Sequence, residues 1–284
     1  MKKLLILAVL AAALPLNAQD LLNKRHSLSI AAEISSYKYK EPSAYPISDS
    51  GTFAGIWAEY IMRGKPAAAA PEAPFTYFLA VEGNFMTGNV DYDGWLYSNP
   101  PPVYTKYEVS GIQDYFAELR LKAGALWRAG TNWEFQPYAG LGARYLVDQM
   151  EKKSPYGYHR TDLYIYIPMG IKARASLPRG WALTFGGELD WFLLGKQKSR
   201  MSDIDGADYN DITFDQGSGY GARLSARADK SFKRMGIFIE PFLRYWNIKE
   251  SEPGALYDGG TFVGLFVEPH NTTTEYGIRA GIFF

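Results

Sequence analysis

Leu163-Tyr164-Ile165-Tyr166-Ile167-Pro168-Met169-Gly170-Ile171-Lys172-Ala173-Arg174 decides the fold class of this chain. Its odd positions from Leu163 to Ile171 are all apolar, whereas Tyr164, Tyr166, Gly170, Lys172 and Arg174 occupy the other parity. Successive side chains of an extended strand point to opposite faces, so a period of two sustained this long reads as strand. The pattern recurs. Leu183, Phe185, Gly187, Leu189, Trp191 and Leu193 alternate with Thr184, Gly186, Glu188 and Asp190. Ala117, Leu119, Leu121, Ala123 and Ala125 alternate with Glu118, Arg120 and Lys122.

Working outward, the same test places strands near 26–38, 52–63, 75–89, 108–127, 133–149, 161–177, 181–197, 218–229, 235–249 and 272–284. Segments 39–51, 90–107, 150–160, 198–217 and 250–271 are long polar connections, whereas 128–132, 178–180 and 230–234 are short. The Ala- and Pro-rich 64–74, with its Ala67–Ala70 run, reads as a linker on the short-turn side. Long loops at one rim and tight turns at the other, with an even strand count, predict an all-β fold. The expected architecture is a closed antiparallel transmembrane β-barrel of about ten strands, with eight to twelve compatible with the boundaries. Pro137, Pro168 and Pro241 fall inside strands, where each removes a ladder hydrogen bond, and predict bulges or strand ends.

The 284 residues include no cysteine, so disulfides, thiolate metal sites and thiol nucleophiles are excluded. Thirty basic residues balance thirty acidic ones, which gives no electrostatic case for nucleic acid. Lys2 and Lys3, the apolar run Leu4 to Leu16 and the small residues around Ala18 predict a secretory signal peptide over 1–18, ahead of a single barrel domain over 19–284. That apolar run falls short of the ~20 residues a spanning helix needs. A mean hydropathy of −0.22 is compatible with a barrel, whose lumen face stays polar.

Alternation alone also suits a soluble barrel with its charges outside. The apolar parity, however, carries no charge at the strand centres and holds Tyr60, Tyr145, Trp191, Tyr245 and Tyr276 near strand ends, as interfacial girdles do. The opposite parity collects Glu33, Glu59, Glu82, Glu118, Arg120, Lys122, Arg144, Lys172, Arg174, Glu188, Asp190, Arg223, Arg227, Glu240, Arg244 and Arg279. These predict a lumen filled by a network of paired charges and tyrosines. Ten strands lie close to the size at which side chains fill the interior.

Tyr276, Ile278, Ala280, Ile282 and Phe284 occupy every second position up to a terminal aromatic residue. This resembles the C-terminal β-signal of bacterial outer-membrane proteins, which implies an outer-membrane location and recognition by the barrel assembly machinery, with outer-membrane lipids and lipopolysaccharide as surroundings. Gly195-Lys196-Gln197-Lys198-Ser199, Ser218-Gly219-Tyr220-Gly221 and Glu240-Pro241-Phe242-Leu243-Arg244-Tyr245-Trp246 are similar to segments of an uncharacterised group of small outer-membrane barrels, mainly over 180–284.

Val90-Asp91-Tyr92-Asp93-Gly94-Trp95, followed by Ser98-Asn99-Pro100, resembles the omptin segment that bears a catalytic aspartate pair in the second outer loop. In that family the pair works with an Asp and a His across the cleft to activate water. The fourth loop here offers Asp203, Asp205, Asp208 and Asp211 but no histidine; the three histidines are His26, His159 and His270. Without the imidazole base, Asp91 and Asp93 are expected to be loop residues rather than catalysts. The acidic run from Asp203 to Asp215 lacks the spacing and bidentate Glu of a calcium loop, and no metal or cofactor is expected. The expected function is that of a non-enzymatic outer-membrane protein, serving envelope integrity or surface-loop contacts. The alternatives are a narrow porin-like channel and an omptin-like surface protease.

Overall fold

The computed structural model describes residues 24–64, 75–98, 103–130 and 132–284. The expected signal peptide over 1–18, the Ala67–Ala70 linker and Asn99-Pro100 lie outside the described residues. The described residues form thirteen strands: β1 (His26–Glu41), β2 (Ile47–Arg63), β3 (Phe75–Ser98), β4 (Val103–Ala129), β5 (Trp133–Gln149), β6 (His159–Leu177), β7 (Trp181–Ser199), β8 (Ile212–Gln216), β9 (Gly219–Ser231), β10 (Gly236–Ile248), β11 (Gly254–Asp258), β12 (Thr261–Phe266) and β13 (Asn271–Phe283). Each barrel strand pairs antiparallel with its chain neighbour, β13 closes onto β1, and β6 joins β7, so the sheet has no free end. Ten strands make the wall, β8 extends the β7 edge, and β11 with β12 forms a separate hairpin. This is the closed antiparallel barrel that the alternation predicts.

Closure pairs neighbouring strands around the whole wall, which is what hydrocarbon demands of a spanning sheet. Leu189 is 62% exposed, and Leu121, Leu141, Ile171 and Leu224 on four other strands are similarly open. Large apolar side chains left outside on every side of a closed sheet are a lipid-facing surface, since a water-soluble barrel would turn them inward. Trp181 and Trp191, both outward on β7, bracket a stretch that matches the ~9–11 residues a tilted strand uses to cross a bilayer. Tyr60, Trp127 and Trp133 join Trp181 at the inner rim, and Tyr145, Tyr220 and Tyr276 join Trp191 at the outer rim. Above that belt the outward positions turn polar, with Lys38, Lys40, Ser50 and Gln113 exposed.

Each interior proline breaks the ladder on one side only. Between β4 and β5 the register runs from Gly124↔Tyr138 to Trp127↔Phe135 across Pro137. Between β5 and β6 it skips from Ala139↔Met169 to Gly142↔Tyr166 across Pro168, and between β9 and β10 from Ile239↔Ala228 to Phe242↔Ser225 across Pro241. On their other flanks the three remain paired with Ile171, Asp190 and Ile278. A residue without an N–H loses one neighbour and keeps the other.

Segment 90–107, expected to be a loop, is instead mostly strand, because β3 and β4 continue far past the membrane belt as a two-stranded extension. The other outer connections also carry more strand than expected: β8 lies within 198–217, and β11 with β12 within 250–271. On β13, Tyr276 and Ile278 face outward, while Phe283 is buried in the lumen. Phe284 follows the strand, and its N–H donates to the Leu28 carbonyl at 2.9 Å, tying the terminus to β1.

Candidate functional site

The inward parity of ten strands converges on the lumen, so the side chains that fill it come from residues distant in sequence. Arg144 on β5 is 2.7 Å from Glu275 on β13, five strands away around the wall and therefore on the opposite side. Arg223 on β9 reaches Glu118 on β4 at 2.6 Å and Asp190 on β7 at 2.7 Å. Arg120 on β4 is ion-paired with Glu82 and with Glu188. Lys122 is 2.9 Å from Glu59 and 2.5 Å from Glu82, and Lys172 is 3.3 Å from Glu59. Arg244 joins Glu33 at 2.7 Å and Glu275 at 3.3 Å, and Arg279 lies 3.5 Å from Glu33 and 4.0 Å from Glu240. Tyr138 and Tyr166 donate to Glu188 and Glu118, each at 2.7 Å, and the Trp57 indole donates to Glu82 at 2.9 Å.

A buried charge left unpaired costs several kcal/mol, so pairing across the interior is the arrangement these sequences must reach. Two aromatic plugs border the belt. Phe53, Met86 and Phe116 are completely buried in a cluster with Tyr37, Val90 and Ile112, and Trp246 packs with Tyr164, Tyr166 and Phe192. Toward the periplasm Trp57, Phe238 and Phe283 form a third cluster. Between them lies a water-accessible cavity of about 60 Å³, several times what one water needs. Solvent reaches it from the periplasmic half, where Lys172, Thr184, Gly186, Ser225 and Arg227 keep partial exposure.

Above the outer plug lies a second polar cluster that the strand assignments missed. Arg160, at the start of β6, has four carboxylates around it: Asp148 at 3.3 Å, Asp49 at 3.6 Å, Glu268 at 3.7 Å and Glu41 at 3.9 Å. Glu41, Asp49 and Asp148 share the lumen parity of their strands, just beyond the stretches where outward apolar residues reveal the alternation. The Tyr39 hydroxyl is 2.8 Å from Glu41 and 3.0 Å from Glu268. It has one proton and can donate to one of them at a time. Burial, with Glu268 alongside, pushes the Glu41 carboxyl up to about 8, and burial also raises Glu268. A proton shared among Glu41, Tyr39 and Glu268 satisfies this geometry.

The candidate aspartates lie elsewhere. Asp91 and Asp93 sit on the outward parity of β3, alternating with Val90 and Tyr92, which face inward. Asp91 accepts from the Gly111 N–H at 2.9 Å across the extension, and Asp93 pairs with Lys106. Among the described residues neither touches a histidine: His159 is 3.3 Å from Glu151, His270 is 3.3 Å from Asn247, and His26 bonds Tyr60 at the inner rim. The expected loop position is thus corrected to a strand, and the pair faces away from the barrel mouth. The acidic fourth loop is also dispersed. Asp203 accepts from the His159 N–H, Asp211 is 2.9 Å from Lys198, and Asp215 is 3.5 Å from Lys196. Burial pushes the Asp211 carboxyl up, but Lys198 and Ser202 together outweigh it and hold the group below the usual range. No group of three or more acidic or histidine side chains among the described residues is arranged to hold a metal ion.

The belt includes every charged residue singled out for the lumen except Arg174 and Arg227, which lie nearer the periplasm. Arg227 is 2.7 Å from Asp229, and Arg174 has no ion pair among the described residues. Glu275 was not among the singled-out residues, although it lies four residues before Arg279 on the same parity.

No protein-family model matches the sequence, and no curated protein sequence does. Among solved structures, the outer membrane protease OmpT from Escherichia coli superposes with a TM-score of 0.62 at 12% identity, over 96% of this chain and 99% of that one. The outer membrane protein OprG from Pseudomonas aeruginosa matches with a TM-score of 0.35 at 10% identity, over 93% of this chain and 98% of its own. Ail, the attachment invasion locus protein of Yersinia pestis, matches with a TM-score of 0.34 at 8% identity, over 92% and 100%. At this identity the likeness to OmpT is one of fold. The chain has the closed, lipid-belted barrel fold of an integral outer-membrane protein.

Proposed function

We propose that this barrel works without catalysis, as a closed element of the outer membrane whose strand extension and loops make contacts at the cell surface. The observation that carries the reading is the Arg144–Glu275 pair, which bridges opposite walls beneath a fully buried aromatic plug. A lumen crossed in this way has no continuous path for solutes. Proteolysis of the omptin kind would need Asp91 and Asp93 to face an imidazole across a cleft, and they face outward instead.

The outer surface offers the contacts. Lys38 and Lys40 stand exposed just above the lipid belt, cations suited to the phosphates of lipopolysaccharide as surroundings. The β11–β12 hairpin exposes Phe262, Val263 and Leu265 to solvent, an apolar surface suited to a partner. The alternating terminus from Tyr276 to Phe284 supports recognition by the barrel assembly machinery. The test is genetic. Loss of the protein should sensitise cells to detergents and large antibiotics, and restoration should require Lys38, Lys40 and the β11–β12 hairpin. Unchanged sensitivity on deletion, or full rescue without those features, would contradict the proposal.

A further inference from the structure

The periplasmic half of the lumen holds a buried cation, Arg174, that makes no ion pair among the described residues. Arg174 on β6 is 9% exposed, no carboxylate lies within ion-pair distance, and its Nε donor has no acceptor. Its neighbouring acids are shared with other cations: Glu134, opposite it on β5, accepts from Gln136 at 2.6 Å and lies 3.7 Å from Arg128, and Asp229 is held by Arg227 at 2.7 Å. An arginine this buried is costly without an anion.

The register shows what surrounds it. Arg174 lies opposite Thr184 on β7, and Thr184 lies opposite Arg227 on β9. One rung further from the periplasm, Lys172 lies opposite Gly186, which lies opposite Ser225. Three cations and two hydroxyls therefore share one patch of the wall, and Gly186 contributes no side chain to fill it. Apart from Arg174, these residues line the water-accessible cavity, whose walls carry seven cationic side chains against four carboxylates. Lys172 is 26% exposed and has only a 3.3 Å contact to Glu59, which is also held by Lys122.

We propose that this patch is a binding site for an oxyanion of phosphate size, entered from the periplasm, with Arg174 and Lys172 supplying the charge and Thr184 and Ser225 the neutral donors. A guanidinium offers parallel donors to two oxygens of one phosphate or carboxylate, and hydroxyls complete the shell. The aromatic plug above the cavity makes the site a dead end, so the anion binds rather than passes.

The test is calorimetric titration of the folded, detergent-solubilised full chain with inorganic phosphate at constant ionic strength. Saturable binding near one per barrel is expected. Arg174→Met should weaken it by about tenfold or more, in line with the loss of a charge-assisted hydrogen bond. Lys172→Met, at a more exposed position, should weaken it less. Thr184→Asp places a carboxylate opposite Arg174; it should abolish phosphate binding while raising the unfolding temperature. Retained heat-modifiable migration in gels shows that each variant is folded. The proposal fails if the wild type shows no saturable binding, if chloride competes as well as phosphate, or if Thr184→Asp binds phosphate like the wild type. A second arm adds lysophosphatidic acid to the micelle. Binding of free phosphate that is unaffected by it supports a soluble ligand, whereas binding of the lipid alone would assign the site to a headgroup and overturn the proposal.

Discussion

Removing the Glu275 carboxylate isolates what the cross-lumen pairing contributes. Glu275 is completely buried, 2.7 Å from Arg144 and 3.3 Å from Arg244. Arg244 keeps Glu33 at 2.7 Å when Glu275 is lost. Arg144 keeps no ion pair among the described residues: Glu118, opposite it on β4, is engaged by Arg223, one terminal nitrogen of Arg144 already lacks an acceptor, and the face of Phe116 lies 4.3 Å from the guanidinium carbon. Glu275→Leu therefore strands one guanidinium in a water-poor interior, at a cost of about 3–5 kcal/mol. That is about two to three and a half decades in the folding equilibrium. Adding Arg144→Met removes the orphaned charge, so the double variant should recover most of the loss, with a coupling of at least ~2 kcal/mol. The assay is urea unfolding in phospholipid vesicles, followed by tryptophan fluorescence. Simple additivity, with coupling below about 0.5 kcal/mol, would mean that water screens the pair and that the lumen is open there.

Three further outcomes follow from the same geometry. Leu189→Arg, on the lipid face and 62% exposed, should destabilise the barrel by roughly 2–4 kcal/mol in vesicle unfolding, and Ser225→Arg, which points into the hydrated cavity, should cost less; equal costs would reverse inside and outside. Because Glu41 is raised from 4.5 to about 8, its contribution to stability is fully present below its unfolded value and is lost as pH rises through about 8, so stability should fall from pH ~5 to ~9 and Glu41→Gln should flatten that slope. A slope unchanged in Glu41→Gln would refute the shared proton. Purified protein reconstituted with lipopolysaccharide should not cleave dibasic peptides, and cleavage that disappears in Asp93→Ala would make this an enzyme.

Much of the wall was legible in the sequence because lipid imposes alternation. Wherever one face meets hydrocarbon and the other a polar lumen, as from Leu183 to Trp191, period two survives and fixes both strand and orientation. Past the belt both faces meet water, the outward apolar constraint lapses, and Asp91 and Asp93 read as loop although they continue β3. The Arg160 cluster was hidden largely for the same reason: Glu41 and Asp49 lie on inward parities but in a stretch read as loop, Asp148 lies at the very end of its assigned strand, and Glu268 comes from a loop. Which lumen charges pair was not legible. Arg144 finds Glu275 because closure sets β5 opposite β13, a relation that depends on strand number and shear rather than on local sequence. The omptin-like stretch around Asp91 carried the right topology and the wrong face, since its aspartates and Val90 alternate across the sheet.

Conductance across a planar bilayer tests the closed lumen most directly. With the Arg144–Glu275 bridge, the Arg223–Glu118 pair and the aromatic plug in place, inserted protein should show no steady current above leak, far below that of a general porin. Large, steady single-channel currents from folded wild-type protein would contradict it and make the barrel a channel.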